Sequence, residues 1–93
     1  MKNKTPNTFC KIIGRVQGVG FRAWTKKIAE KYELKGWVKN CSDESVELEI
    51  SGEKIKKQQF IRDCKGGPIL SKVTKVELSE RPYKKFVGFE ILY

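Results

Sequence analysis

The sequence predicts an α+β fold in which two helices cover one face of an antiparallel sheet. Short stretches of alternating apolar and polar residues, typical of half-buried strands, are interrupted by two longer stretches with helical spacing. Their order is strand, helix, strand, strand, helix, strand, followed by a terminal strand. With 93 residues, 39% of them hydrophobic, the chain has room for one domain with a modest core.

The first predicted strand and helix are joined by a glycine-rich segment. The strand covers residues 9–16, where every second residue is small or apolar: Cys10, Ile12, Gly14 and Val16. The helix covers residues 21–32, and its apolar residues recur at helical spacing: Phe21, Trp24, Ile28 and Tyr32. We expect both sets of side chains to face the core.

A hairpin follows in the middle of the chain. Its strands are predicted over residues 34–40 and 45–51, and the polar residues 41–44 between them favour a tight turn. In the later strand Val46, Leu48 and Ile50 alternate with two acidic residues, Glu47 and Glu49. The alternation predicts that the acidic side chains face outward.

The second half of the chain adds a helix and two strands. The helix covers residues 53–65 and ends at Gly66-Gly67-Pro68. Its basic residues are predicted to form a solvated face: Lys54, Lys56, Lys57, Arg62 and Lys65. A strand over residues 72–79 places Val73 and Val76 on opposite faces, so either one of them lies outside the regular pleat or a bulge interrupts the strand. With a last strand over residues 87–93, the order βαββαβ plus a terminal strand predicts a ferredoxin-like sandwich.

The N-terminal residues indicate where the domain begins, and the cysteines indicate the redox compartment of the protein. Residues 1–8 are polar and predicted to form a mobile tail, which leaves residues 9–93 as the domain. No segment approaches the roughly 20 apolar residues of a membrane span, so no membrane partner is expected. The three cysteines show no C-x-x-C spacing, and this favours a reduced, cytoplasmic protein.

Charge and the absence of histidine limit the possible functions. A net charge of +9 indicates an anionic partner. The chain contains no histidine, which excludes Ser-His-Asp and Cys-His pairs, imidazole zinc sites and histidine bases. Any catalysis must therefore rest on positioning and electrostatics, or on carboxylates.

Residues 14–22 are the most informative segment, with the sequence Gly-Arg-Val-Gln-Gly-Val-Gly-Phe-Arg. Gly18 and Gly20 allow the backbone to curl so that consecutive N–H groups point to one place, and the start of the helix adds unpaired donors. Arg22 can grip a tetrahedral oxyanion with two donors. The segment predicts a phosphate-binding loop. The alternative is a tight strand-to-helix connection without a ligand.

A second motif, Gly36-Trp37-Val38-Lys39-Asn40, ends the second predicted strand with an amide side chain. In a sheet of this order that strand end can lie close to the glycine-rich loop. Asn40 carries donors and an acceptor but no charge, so it can orient water without repelling an anion. The alternative is that Asn40 only opens the following turn.

Together the two motifs resemble the acylphosphatase family. The resemblance extends over nearly the full folded length and includes Asp43, Gly52, Phe60, Gly67-Pro68 and Gly88-Phe89-Glu90-Ile91. It implies hydrolysis of the carboxyl–phosphate bond of acyl phosphates to a carboxylate and inorganic phosphate. It also implies that no metal, cofactor or phosphoenzyme is used.

The resemblance also implies roles for individual residues. Phosphate would be bound by the Arg22 side chain and by the backbone of five loop residues: Gln17, Gly18, Val19, Gly20 and Phe21. Asn40 would position the attacking water. Phosphate or sulfate would bind as a product-like ligand.

The chain departs from the family pattern at two places. The family usually has glycine where this chain has Glu33 and Glu44. A non-glycine residue costs about 1–2 kcal/mol there if the same left-handed backbone is kept. The departures concern local turn shape and leave Arg22 and Asn40 unchanged.

Two other functions fit the fold class. A single-stranded nucleic-acid binder would use aromatic residues of the central strands, and outward-facing Glu47 and Glu49 disfavour it. An inactive interaction module is disfavoured because Arg22 and Asn40 are both present. We therefore expect a monomer that acts on a small-molecule acyl phosphate, with no nucleic-acid partner.

Overall fold

The structure, a computed structural model, describes residues 5–93 and consists of one five-stranded sheet with two helices. The strands are β1 (Asn7–Arg15), β2 (Lys35–Asn40), β3 (Val46–Ser51), β4 (Lys72–Arg81) and β5 (Phe89–Leu92). The helices are α1 (Phe21–Lys31) and α2 (Lys54–Gly66). The predicted ferredoxin-like α+β fold is confirmed.

The sheet has the order β4-β1-β3-β2-β5, and its last pair differs from the others. β1 pairs antiparallel with β3 and β4, and β3 pairs antiparallel with β2, as predicted. β5 instead pairs parallel with β2, so the sheet is mixed. The segment between β4 and β5 passes along one end of the sheet from one edge to the other. β5 therefore runs opposite to β4 and in the same direction as β2.

Of the two alternatives for Val73 and Val76, the structure has the bulge, and it lies where β1 ends. Ile13 is paired with Lys75 and Gly14 with Val73, so Thr74 is the extra residue on β4. Gly14 has a φ of 139°, and a Cβ built there would lie 2.0 Å from the carbonyl oxygen of Lys72. Only glycine fits this contact, and the bulge turns the chain towards the loop before α1.

The core lies between the sheet and the helices. Its fully buried side chains include Cys10, Ile12, Val38, Val46, Leu48, Ile50 and Phe60. The deepest residues of α1 are Phe21, Thr25 and Ala29, whereas Trp24, Ile28 and Tyr32 pack at the margin of the core. The sequence analysis identified Phe21 and these three marginal residues, because large apolar side chains dominate the pattern, and it missed Thr25 and Ala29. The small Thr25 and Ala29 allow the helix to approach the sheet closely.

Glu49, which the alternation predicts to face outward, is buried in the structure. Only 6% of Glu49 is exposed, because Asn7 Nδ2 donates to its Oε2 at 3.0 Å and Arg81 Nη1 lies 3.4 Å from its Oε1. Asn7 Nδ2 also lies within 3.2 Å of the carbonyl oxygen of Lys84, which ties the β4–β5 connection to the sheet.

The predicted tail and the predicted solvated face of α2 also need correction. β1 begins at Asn7, so residues 7 and 8 belong to the sheet, while residues 1–4 lie outside the described residues. Lys57 of α2 is buried, and its Nζ donates to the carbonyl oxygen of Pro6. A long lysine side chain can reach a carbonyl of a neighbouring segment, and charge alone does not reveal this.

Within residues 5–93 no helix has the length and apolar character needed to span a bilayer.

Candidate active site

One cleft brings together most of the predicted site residues. It has a volume of about 190 Å³ and lies between the β1–α1 loop (residues 16–20) and the ends of β2 and β5. Its lining consists of Val16, Gln17, Gly18, Gly20, Phe21, Arg22, Ala23, Asn40, Ile91 and Tyr93. Of the predicted residues, only Val19 does not line the cleft; its side chain packs against the core instead.

The β1–α1 loop has the backbone that the glycines predict. Gly18 and Gly20 have φ values of 73° and 75°, and a Cβ at either position would contact nothing within 4 Å. Glycine is therefore required for the left-handed backbone and not for space. Gly20 caps α1, and its carbonyl oxygen accepts the first helical hydrogen bond from Trp24 at 3.0 Å. The amide N–H groups at the start of α1 have no acceptor within the helix and add its positive dipole end.

Arg22 lies in the first turn of α1 and points towards the end of β5. Its Nη1 lies 3.5 Å from the carbonyl oxygen of Leu92, and its guanidinium carbon lies 4.8 Å from the centre of the Tyr93 ring. Within residues 5–93 no acidic side chain forms an ion pair with Arg22. Several guanidinium donors therefore remain available for an anion in the cleft.

Asn40 is the last residue of β2 and reaches the cleft from the opposite side. Its Oδ1 is buried and has no hydrogen-bond partner within the described residues. Buried polar atoms usually have a partner, so this amide is suited to a ligand or a water molecule. Rotation of the amide exchanges its oxygen and nitrogen, and no hydrogen bond within residues 5–93 fixes one orientation.

The side chain of Gln17 contacts the hairpin between β2 and β3. Its Nε2 donates to the carbonyl oxygens of Cys41 at 2.8 Å and Ser45 at 2.9 Å. The sequence motif predicted a role for the backbone of Gln17 and did not reveal this contact. Nothing in the sequence indicates which distant carbonyl groups a glutamine side chain will reach.

Asp43 also stabilises the hairpin between β2 and β3. Its Oδ1 accepts hydrogen bonds from the backbone N–H of Ser45 at 3.0 Å and from Ser45 Oγ, and its Oδ2 lies 2.8 Å from Lys11 Nζ. The hydrogen bonds from Lys11 and Ser45 hold the pKa of Asp43 well below its usual range. Glu44, beside it, has a φ of 73°. The second departure, Glu33, has a φ of 61°, so both positions keep the left-handed backbone.

Ile91, Tyr93 and Ala23 line the cleft but were not predicted as site residues. Lys39 is paired with Leu92, so the parallel pairing of β2 and β5 brings Tyr93 next to Asn40. Alternation predicted a strand here but not its partner. Within residues 5–93 no group of three or more cysteine or acidic side chains could hold a metal ion.

The fold and the cleft define a small ferredoxin-like α+β domain with a pocket lined by residues of the glycine-containing β1–α1 loop, an arginine and an asparagine. A family model described as Acylphosphatase matches residues 9–91. An acylphosphatase of Ligilactobacillus salivarius is 43% identical over 84 residues, which cover 88% of this chain and 92% of the relative.

Solved structures agree with this match. The crystal structure of acylphosphatase from Bacillus subtilis is 39% identical and has a TM-score of 0.91, covering 94% of this chain and 98% of that chain. The structure of an acylphosphatase from Coxiella burnetii is 32% identical and has a TM-score of 0.93, covering 99% and 100%. The chain belongs to the acylphosphatase family. The protein is a hydrolase acting on acid anhydrides, and its family and fold support acyl phosphate hydrolysis.

Proposed function

We propose that the protein hydrolyses acyl phosphates in the cleft without a metal ion, by binding the phosphate and orienting water. The observation that supports this most directly is that Arg22, Asn40 and the β1–α1 loop line one pocket. The backbone N–H groups of residues 17–21 and the guanidinium of Arg22 bind the phosphate. Asn40 orients the attacking water.

The reaction needs little proton transfer from the protein. The water oxygen forms a bond to phosphorus as the bond to the bridging oxygen breaks, and the bonding electrons leave with the carboxylate. The water proton passes to a phosphate oxygen, which balances the step without a protein base. The carboxylate leaving group is weakly basic, so no strong acid is required. Among residues 5–93 no Asp or Glu side chain lines the cleft, which agrees with catalysis by positioning and charge stabilisation.

The direct test is hydrolysis of a synthetic acyl phosphate in excess chelator, with an alkyl phosphomonoester as the comparison substrate. We expect rapid release of phosphate from the acyl phosphate and almost none from the phosphomonoester, because the cleft has no acid to protonate an alkoxide. Activity that disappears with chelator and returns with magnesium would contradict the metal-free mechanism.

Binding of phosphate can be tested separately from turnover. Because a ligand that binds the folded state stabilises it, the melting temperature should be higher in phosphate than in chloride at matched ionic strength. The shift should be lost in Arg22→Ala. Equal melting temperatures of the unaltered protein in the two salts would show that the loop does not bind phosphate.

We further propose that the protein acts as a monomer in the reducing cytoplasm. Cys10, Cys41 and Cys64 are free thiols, and burial raises the pKa of Cys10 to about 12. Buried thiols of this kind are unreactive. Thiol titration before and after unfolding tests whether the three thiols are free, and we expect Cys10 and Cys64 to react slowly until the protein unfolds. Light scattering tests the mass, which should be that of a monomer.

A further inference from the structure

We propose that Gln17 is a positioning residue whose side-chain amide holds the β2–β3 turn in the conformation that places Asn40 at the cleft. The inference rests on the proposed role of Asn40 in orienting water. It concerns the side chain of Gln17, whereas the phosphate site uses its backbone N–H.

One amide nitrogen spans the two carbonyl groups that close the turn. The carbonyl oxygen of Cys41 accepts from Gln17 Nε2 at 2.8 Å and from the N–H of Glu44 at 3.1 Å. The carbonyl oxygen of Ser45 accepts from Gln17 Nε2 at 2.9 Å and from the N–H of Cys41 at 2.9 Å. Both hydrogens of the Nε2 group are therefore used, one on each side of the turn.

The position of Asn40 depends on the backbone of this turn. Asn40 directly precedes Cys41, and within the described residues no hydrogen bond fixes its side chain. The turn also contains Glu44 at a φ of 73°, a conformation that costs energy for a residue with a Cβ. Without the two bonds from Gln17 the turn can relax, and Asn40 then moves relative to the loop. A displacement of about 1 Å can cost roughly 100-fold in rate.

The phosphate loop does not depend on the Gln17 side chain in the same way. Gly18 and Gly20 set the loop conformation through their own φ values, and α1 fixes the residues that follow. Substitution of the side chain leaves the N–H of residue 17 in place. Loss of the Gln17 amide is therefore expected to lower kcat and leave phosphate affinity nearly unchanged.

The first experiment compares Gln17→Ala and Gln17→Met with Gln58→Ala, a matched control on the exposed surface of α2. The methionine side chain is nearly as long as glutamine but cannot donate. We expect both Gln17 variants to lose roughly 10- to 100-fold in kcat, with the inhibition constant of phosphate within about threefold. Gln58→Ala should match the unaltered protein. Full activity of Gln17→Met, or phosphate binding weakened as much as kcat, would overturn the proposal.

A double-variant cycle tests whether Gln17 acts through Asn40. Gln17→Ala should cause less than about a threefold further loss in Asn40→Ala, measured by single-turnover kinetics at high enzyme concentration. Losses that multiply would show that Gln17 acts independently and would overturn the inference. An unaltered protein without acylphosphatase activity would instead refute the proposed function, so the two failures are distinguishable.

Discussion

The guanidinium of Arg22 lies 4.8 Å from the centre of the Tyr93 ring, a cation–π contact between the first turn of α1 and the residue that follows β5. The carbonyl oxygen of Leu92 lies 3.5 Å from Arg22 Nη1 and orients the same group. The parallel edge strand thus helps to set the direction of the arginine in the cleft. Only Nη1 has a hydrogen-bond partner within the described residues, so the other guanidinium donors remain available for an anion.

Arg22→Ala should weaken phosphate binding and turnover together, because it removes the only cationic side chain among the cleft residues within 5–93. The expected loss in kcat is about 10²–10³-fold. Arg22→Lys should recover little, since lysine keeps the charge but lacks the two-donor fork. Calorimetry with phosphate and steady-state kinetics measure the two effects, with Arg62→Ala on α2 as the control. Near-normal activity of Arg22→Lys would show that charge alone suffices.

Asn40→Ala should behave differently from Arg22→Ala. The amide is proposed to contact the water and not the phosphate charge, so kcat should collapse while competitive inhibition by phosphate stays within a few-fold. Steady-state kinetics with phosphate as the inhibitor separate the two quantities. Substantial retention of kcat would refute the water-orienting role, as would a loss of phosphate binding as large as that in Arg22→Ala.

Glu44→Gly should stabilise the protein, because Glu44 has a φ of 73°. Glycine removes the strain of the left-handed backbone but increases the conformational entropy of the unfolded chain. We expect the first effect to exceed the second by roughly 0.5–1 kcal/mol in the free energy of unfolding. Glu33→Gly should gain less, although its φ is 61°, because it also loses the ion pair with Lys56. Urea unfolding of both variants measures the difference. Destabilisation by Glu44→Gly would show that its side chain makes a contribution larger than the strain.

Asp43 should make stability depend on pH in the acid range. Hydrogen bonds from Lys11 and Ser45 lower its pKa in the folded state, so its contribution is complete above the unfolded-state pKa of about 3.9. The contribution is lost as the pH falls from there towards the lower folded-state pKa. Asp43→Asn should therefore be less stable than the unaltered protein at pH 7, and the difference should narrow below about pH 4. Urea unfolding of both proteins from pH 7 to pH 3 measures this difference in the free energy of unfolding. A difference that does not change with pH would show that the Asp43 carboxylate is not its cause.

The sequence by itself determined the order of the elements and the position of the glycine-containing β1–α1 loop. It also identified Arg22 and Asn40 as candidate site residues, and both line the cleft. Local rules were sufficient for these features. Alternation predicted the strands, the parity of Val73 and Val76 indicated an irregularity in β4, and Gly18 and Gly20 predicted the left-handed backbone of the loop. Each of these signals involves residues close together in the chain, where geometry follows from spacing.

Only the tertiary structure decided which distant groups meet. Gln17 reaches the carbonyl oxygens of Cys41 and Ser45, Glu49 is buried against Asn7 and Arg81, and β5 joins the free edge of β2. Composition and residue spacing do not predict which groups a long polar side chain will contact, nor which strand an edge strand will pair with. These contacts form only when the whole sheet is assembled. A buried polar group needs a hydrogen-bond partner, and the packing of distant segments determines which partner is within reach.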